Sequence, residues 1–237
     1  MKARVLIGLL FVLLSAITFA DSPVEKYNFT LKDIIPSVMR DTIGVITINA
    51  NFGWEPDYHV DDVEIPLCEN ASGSFTDAGN ISLQKDTRAL TSYGYGGTGS
   101  FRYPVTECTG DYCRIIIDPQ TDKRVWIDKK KLAKNIENGF ELTLFDSMEN
   151  VGVDLFFFTN SKKKKIYSEP AKNSSFVVIA ESTYPALEAA ETKNGFVRLV
   201  ISDSNSESNS LKKTIGWARI RDNEGLISIW ITDLDEC

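Results

Sequence analysis

The sequence predicts a mainly β protein that consists of two similar modules in tandem. Short runs of β-branched and aromatic residues alternate with turn residues along most of the chain, which is typical of strands joined by tight connections. The most plausible helix is 129–136, which is rich in lysine and is followed by Asn138-Gly139. In addition, one arrangement of strands and turns occurs twice, and its two copies define the predicted modules.

The repeat is clearest in its central strands. Phe196-Val197-Arg198-Leu199 follows an Asn-Gly turn, and Ile215-Gly216-Trp217-Ala218 begins a later strand. An earlier copy contains Tyr112-Cys113-Arg114-Ile115, and Arg124-Val125-Trp126-Ile127 then stands where the glycine-tryptophan segment stands. The shared order of an aromatic residue, an arginine, an aliphatic run and a tryptophan indicates that the two segments form equivalent strands.

An upstream segment repeats as well, because 67–75 aligns with 167–176 when one residue is inserted. Two pairs of side chains occupy equivalent repeat positions. We expect the tryptophans to be core residues and not ligand platforms, and the arginines to face outward on their strands. The pairs are Trp126 with Trp217 and Arg114 with Arg198.

Composition indicates a folded, acidic protein. The 237 residues are 43% hydrophobic, which is enough for real cores, and their formal net charge is -7 at pH 7. Because an acidic surface disfavours binding to DNA, RNA or anionic lipid, we expect no nucleic-acid partner. The concentrated positive charge at 162–165 precedes a strand and is typical of lysines that protect a β edge.

The first 20 residues have the pattern of a secretory signal peptide. Met1-Lys2-Ala3-Arg4 is basic, Val5 to Ile17 is apolar, and Thr18-Phe19-Ala20 offers a small-residue cleavage site. We predict cleavage after Ala20 and a mature protein, beginning at Asp21, that is secreted or periplasmic. The apolar stretch is too short for a membrane span and no later segment approaches the required length, so we expect no stable membrane insertion.

Export predicts disulfides between the four cysteines, because an oxidising compartment favours them. Cys108 and Cys113 flank a turn in the first module. When this turn is placed over Lys193-Asn194-Gly195 of the second module, the two cysteines face each other across a hairpin. Cys68 then pairs with Cys237 by exclusion, although four cysteines allow three pairings.

Residues 21–62 precede the repeat and form a predicted N-terminal extension. Asp33-Ile34-Ile35, which Pro36 stops, fits either a short helical turn or an extended arm. Thr42 to Asn49 alternates β-branched residues as a strand does, and Asp61 to Ile65 is a second strand candidate.

The first module is predicted over 63–138. Tyr93 to Gly99 is glycine-rich with interleaved tyrosines, but it lacks the following helix and the Lys-Ser/Thr pair of a phosphate-binding loop. We therefore expect an ordinary loop there. The Cys108 hairpin, Ile115-Ile116-Ile117 and Val125-Trp126-Ile127 supply later strands.

The second module is predicted over 139–237, and the boundary between the modules is expected between Leu132 and Asp154. The polar run from Ser202 to Ser210 cannot bury enough surface to order itself, so a mobile loop is predicted. Strands are expected ahead of the repeat at 141–145, 153–158, 176–179 and 186–190.

The pattern around Gly216-Trp217 resembles the bacterial SH3-like domains found in exported proteins. In those domains a segment like Tyr167-Ser168-Glu169-Pro170 opens the module, an aromatic-Val-Arg strand follows a turn, and Gly-Trp-Val starts a late strand. The resemblance covers about 165–234 and, more faintly, 63–132, and it implies two tandem small SH3-like β-barrels. The chain departs from the family at Val125, where the glycine belongs, and in its serine-rich insertion.

The resemblance also implies a role, because such modules often recognise cell-wall peptides or other proteins. We therefore predict an exported, non-enzymatic binding or scaffolding protein of the cell envelope. Its expected partner is a cell-wall peptide or glycan, or an envelope protein. Two rivals stay open: a secreted inhibitor or effector-type protein that inserts the glycine-tyrosine loop into a partner enzyme, and an unfamiliar envelope hydrolase.

Catalytic chemistry finds little support in the sequence. His59 is the only histidine, whereas thiol proteases need a histidine beside a free thiolate, and zinc sites use several imidazoles or closely spaced thiols. Asp57, Asp61, Asp62 and Glu64 cluster, but the sequence does not select a pair at the separation that a glycosidase requires. We predict no catalytic residue, no metal and no cofactor.

The predicted ligand contacts are four aromatic residues near turns and the glycine-rich loop. Aromatic side chains in such places offer a large contact area at low entropic cost. The residues are Trp54, Tyr93, Tyr95 and Tyr103.

Overall fold

The computed structural model describes residues 35–51, 63–88, 90–93, 98–135, 139–155, 163–180, 187–201 and 213–232. Over these residues the chain forms two antiparallel β sheets and three short helices. The predicted mainly β class is therefore confirmed.

The first sheet contains eight strands. They are β1 (Gly44–Asn51), β2 (Glu64–Ala71), β3 (Ser74–Ser82), β4 (Leu90–Tyr93), β5 (Thr98–Thr109), β6 (Tyr112–Asp118), β7 (Lys123–Asp128) and β8 (Phe140–Leu144). Their order is β3-β2-β7-β6-β5-β1-β8, and β4 also pairs with β5. Helix α2 (Leu83–Asp86) follows β3, and α3 (Lys129–Asn135) follows β7, where the sequence predicts a helix.

The second sheet repeats this arrangement with seven strands. They are β9 (Val151–Leu155), β10 (Lys163–Tyr167), β11 (Phe176–Ala180), β12 (Leu187–Lys193), β13 (Phe196–Ile201), β14 (Lys213–Arg219) and β15 (Ile229–Thr232). Their order is β11-β10-β14-β13-β12-β9-β15. If β1, β2, β3, β5, β6, β7 and β8 are matched in turn with β9 to β15, the two orders are the same. The two modules therefore share one topology.

Residue pairing supports this match. Arg114 of β6 lies opposite Trp126 of β7, and Arg198 of β13 lies opposite Trp217 of β14. The arginine and tryptophan positions that define the sequence repeat therefore occupy one register in both sheets.

Both modules also interrupt their pairing at the same place. The register shifts between Val105 and Glu107 in the first module and between Ala189 and Glu191 in the second. In each case the glutamate then lies opposite the repeat arginine. Since an inserted residue changes the local twist and is a specific feature of a strand, its presence in both modules supports their equivalence.

The upstream alignment needs a correction of one residue. Tyr167 lies opposite Trp217, but it is Cys68, not Leu67, that lies opposite Trp126. Counting back along β2 and β10 from these positions makes Ile65 the counterpart of Lys164.

The first sheet packs on both of its faces. On β6, Ile115 and Ile117 belong to one core with Leu132, while Ile116 between them packs into a second core shared with the second module. All three isoleucines are fully buried. Successive strand residues point to opposite faces, so this continuous apolar run reflects burial on both sides.

Helix α1 (Pro36–Asp41) joins the two sheets. Val38 and Met39 are fully buried in the shared core, and the Ile227 amide donates to the Met39 carbonyl at 3.2 Å. Pro36, predicted to stop the segment before it, is the first residue of this helix, where a missing N–H group is tolerated.

The sheets divide the chain differently from the predicted modules. Strand β1 lies in the predicted extension and β8 in the predicted second module, yet both belong to the first sheet. The change from the first sheet to the second therefore falls between residues 144 and 151. Among the described strands neither sheet closes: the strand order of the first ends at β3 and β8, with β4 as a further edge beside β5, and that of the second ends at β11 and β15.

No helix in the described part of the chain is long and apolar enough to cross a membrane.

Candidate functional site

A cavity of about 600 Å³ lies where the two sheets meet. Its walls come from the end of β8, the loop after β10, the turn between β12 and β13, and the segment after β14. The lining residues are Ile43, Leu144, Phe145, Asp146, Lys172, Thr192, Lys193, Asn194, Gly195, Phe196, Arg219, Ile220 and Arg221.

The turn between β12 and β13 forms one wall of the cavity. Asn194 and Gly195 have φ angles of 54° and 76°, the left-handed conformation that a two-residue hairpin turn of this kind requires at both positions. The Ile220 amide donates to the Gly195 carbonyl at 3.0 Å. The Thr192 hydroxyl donates to the backbone oxygen of Asp146 at 2.6 Å and thereby links this hairpin to the end of the first sheet.

The base of the cavity is apolar. Phe145, Phe196 and Ile220 are buried, at 3%, 3% and 6% exposure, while Ile43 is 37% exposed. These apolar side chains form a surface against which an apolar group of a ligand can pack and so leave water.

Two lysines supply the available charge at the cavity. Lys172 and Lys193 are exposed, and neither ammonium group has a hydrogen-bond or ion-pair partner among the described residues. Asp146 is the one acidic residue in the lining. The potential at the cavity therefore favours an anionic ligand.

The two arginines of the lining are held by the protein itself. Arg221 donates to the backbone oxygens of Arg40 at 2.7 Å and Gly225 at 2.9 Å, and also to that of Thr42. Loss of water around its guanidinium lowers the pKa of Arg221, and the negative charge of Asp41 partly offsets this. Arg221 therefore fixes the junction between the sheets.

Arg219 is similarly engaged. It donates to the Asn223 side chain and, at 3.3 Å, to the backbone oxygen of Asp222. The lysines, not the arginines, are thus the groups best placed to meet a ligand.

Tyr103, predicted to contact a ligand, is a core residue. It is fully buried, and its hydroxyl lies 2.7 Å from that of Thr87. Burial raises the pKa of Tyr103, and the hydrogen bond opposes this shift only in part. Tyr103 lies in a strand that is covered on both faces. It therefore does not belong to a ligand-contact surface, contrary to the prediction.

The other predicted contacts cannot be placed in the same way. Trp54 and Tyr95 lie outside the described residues, and for Tyr93 only its backbone position at the end of β4 is described. Their role in binding stays a prediction.

The repeat tryptophans pack within aromatic clusters. Trp217 is 8% exposed and clusters with Tyr167 and Phe196, as predicted for a core residue. In the first module, half-buried Trp126 meets Phe75 edge-on at 5.1 Å between ring centroids. The two modules therefore place an aromatic cluster beside the same strand pair.

The predicted disulfide between Cys108 and Cys113 is confirmed, with its Cα atoms 4.1 Å apart across the β5–β6 hairpin. Cys68 is buried and bonds to no other described cysteine, and burial, followed by the charge of Asp128, raises the pKa of its thiol. Its predicted partner Cys237 lies outside the described residues.

The described residues form no candidate metal site. They contain no cluster of three or more His, Cys, Asp or Glu side chains arranged to hold a metal ion. His59, together with the neighbouring carboxylates Asp57, Asp61 and Asp62, lies outside them.

Sequence patterns missed the cavity because its walls are far apart in the chain. The available signal was the Lys193-Asn194-Gly195 turn, which the pattern placed correctly, but the contacts of this turn with Asp146 depend on how the two sheets meet.

Comparison of the chain with protein-family models, curated proteins and solved structures found no match.

Proposed function

We propose that this protein is an exported, non-enzymatic binding protein of the cell envelope that holds a short, carboxylate-bearing peptide in the cavity between its sheets. A cell-wall peptide has this chemistry. The signal-peptide pattern and the Cys108–Cys113 disulfide support export, since disulfides persist in oxidising compartments.

The observation that carries the proposal is the pair of exposed lysines, Lys172 and Lys193, which line an apolar cavity and have no side-chain partner among the described residues. A peptide carboxylate on these ammonium groups, with an apolar side chain against Phe145 and Ile220, satisfies both surfaces. A volume of about 600 Å³ lies within the usual range for small-ligand sites, roughly 300–1,000 Å³.

The SH3-like assignment of both modules is part of the same proposal. It is supported by the duplicated strand order and by the Gly216-Trp217 motif, whose two residues lie in β14 opposite Leu199 and Arg198. Closure of each sheet into a small barrel requires pairing between edges that the described strands leave apart.

Co-sedimentation with insoluble peptidoglycan tests the proposal. We expect retention at low and physiological salt, and a loss of about tenfold in the double variant Lys172→Glu/Lys193→Glu, since reversing two charges removes both attractions and adds repulsion. The matched control is Lys134→Glu, which reverses an exposed lysine on α3 outside the cavity and is expected to bind normally. Absence of retention, or equal retention of the double variant, contradicts the proposal.

A further inference from the structure

The outer strand of the second sheet, β11, carries an exposed apolar segment. Phe176, Val177 and Val178 are 47%, 61% and 54% exposed. Successive residues of a strand point to opposite faces, so apolar surface is exposed on both sides of this edge. Among the described strands β11 pairs only with β10, which leaves its second edge unpaired.

The corresponding edge of the first sheet is built differently. Strand β3 is polar and mostly exposed, and its pairing with β2 is interrupted between Pro66 and Cys68. Gly79 has a φ of 85°, and Asp77 is ion-paired with Lys131 of α3. Irregular pairing, charge and a covering element are the usual means by which an edge strand is kept from pairing with other chains.

Within the described residues, strand β11 has none of these features. Its five residues pair with β10 in continuous register, and the segment contains no charge, proline or glycine. A regular apolar edge with free backbone N–H and C=O groups is suited to accept another strand.

The charge beside this edge is positive. The ammonium group of Lys165 on β10 lies 4.2 Å from the centre of the Phe176 ring, so it extends across the sheet towards β11. Neighbouring strands are about 4.8 Å apart, which brings a carboxylate on an added strand within reach of this lysine. Lys164, on the opposite face of β10, is partly buried, and removal from water lowers its pKa to about 8.

We propose that β11 is a docking edge for an extended, acidic segment of a partner protein, which adds to the second sheet as an antiparallel or parallel strand. The segment alternates apolar and acidic residues. Its apolar side chains cover Val177 on one face, and its carboxylates meet Lys165 on the other. This edge shares no residue with the cavity, so the two sites are tested separately.

A second copy of the chain fits this edge less well. Pairing of two β11 strands would bring together two Lys165 ammonium groups, each of which extends from β10 across its own β11, and like charges that approach each other are unfavourable. An acidic partner removes this repulsion.

Fluorescence anisotropy with two labelled peptides tests the proposal, one alternating valine with glutamate and the other valine with lysine. We expect the purified protein to bind the glutamate peptide at least tenfold more tightly than the lysine peptide, with weaker binding at high salt. Val177→Asp/Val178→Asp is expected to weaken binding at least tenfold, and Lys165→Gln about threefold with a smaller salt dependence. Thr76→Asp, on the exposed edge strand β3, is the matched control and is expected to bind normally.

Three results would overturn the proposal. They are equal affinity for the two peptides, unchanged affinity in both edge variants, and sedimentation of the protein as a dimer that Val177→Asp/Val178→Asp dissociates. Lys165→Gln removes charge without altering the apolar strand, so it remains informative even if the double variant is unstable.

Discussion

The two sheets share their strand order, their arginine-tryptophan register and the site of one inserted residue, but they differ at their edges and in one late strand. The shared features lie in the central strands, where each residue is fixed by neighbours on both sides. The edge differences lie at β3 and β11, where one side has no neighbour among the described strands. The comparison shows that the centre of the module specifies its topology, whereas the edge is open to new contacts.

The late strands of the two modules, β7 and β14, differ for a local reason. Between Leu199 and Val200 the pairing of β13 with β14 shifts, which leaves Ile215 as an extra residue beside Gly216. Gly216 has a φ of 140°. Its counterpart Val125 pairs regularly with Ile115, so a β-branched residue is accommodated there. The first copy has no register shift at Val125 and therefore does not need a glycine there.

The largest expected effect comes from exchanging this glycine for its counterpart. In Gly216→Val the new Cβ atom would lie 2.6 Å from Cγ2 of Ile166 and 2.8 Å from the backbone oxygen of Tyr167, at a φ that side chains rarely adopt. Backbone strain and overpacking, at about 1–3 kcal/mol each, predict a loss of about 4 kcal/mol.

Urea denaturation followed by tryptophan fluorescence measures this loss. The reciprocal variant Val125→Gly is expected to cost only about 1–2 kcal/mol, because it removes one half-buried side chain and adds backbone freedom. If Gly216→Val unfolds at the same urea concentration as the natural protein, our explanation of the difference between the two late strands is wrong.

The next effect concerns the disulfide, which only the first module has in its central hairpin. Cys108 and Cys113 correspond to Thr192 and Val197, which are also directly opposite each other. Cys108→Thr/Cys113→Val is expected to lower the free energy of unfolding by about 2 kcal/mol, as chain entropy predicts for so short a loop. A reducing agent is expected to destabilise the natural protein by a similar amount and to leave the variant unchanged. An equal response of both proteins would contradict this assignment.

A smaller effect is expected at the junction of the sheets. Arg221→Met removes hydrogen bonds to the backbone of α1 and the following loop, and is expected to lower stability by about 1–2 kcal/mol. Its counterpart Lys130 forms only an exposed ion pair with Asp111, and Lys130→Met is expected to have no measurable effect. Thermal unfolding of the two variants compares them, and equal melting temperatures would show that Arg221 does not secure the junction.

The smallest effect depends on pH. Lys164 occupies the position of the buried Ile65, and removal from water lowers its pKa to about 8, while Asp222 opposes the shift. In the unfolded chain this lysine keeps its ordinary, higher pKa, so above pH 8 the unfolded state binds more protons than the folded state. Stability contributed by this group therefore rises with pH from about 8 towards 10.

Lys164→Ile, which installs the first module's residue, is expected to remove this rise. Urea midpoints measured between pH 7 and pH 9 provide the test, because above this range the Tyr103 phenol, whose ordinary pKa is about 10, begins to ionise in the unfolded chain. If Lys164→Ile keeps the full pH dependence of stability, a group other than Lys164 causes that dependence.

Local patterns predicted the features that local physics controls. The Asn194-Gly195 turn, the helix at 129–135, the hairpin disulfide and the repeat register each follow from neighbouring residues or one strand pairing. The mainly β class follows from their sum.

The remaining features depend on contacts between distant segments. Residues 101–105 are all buried, including Arg102 and Tyr103, so this part of β5 has no alternation to show which face is covered. Tyr103 therefore looked like a surface aromatic in the sequence. The cavity was equally hidden, since Asp146 and Lys193 line one space only after both sheets have formed and packed.

The most direct test of the proposed binding site is calorimetric titration of the protein with a soluble cell-wall stem peptide and with the same peptide after amidation of its carboxylates. Binding of the free acid, weakened at least tenfold both by amidation and by Lys172→Glu/Lys193→Glu, is the predicted result. Equal binding of the two peptides, or no binding of either, would contradict the assignment of the cavity to a carboxylate-bearing peptide.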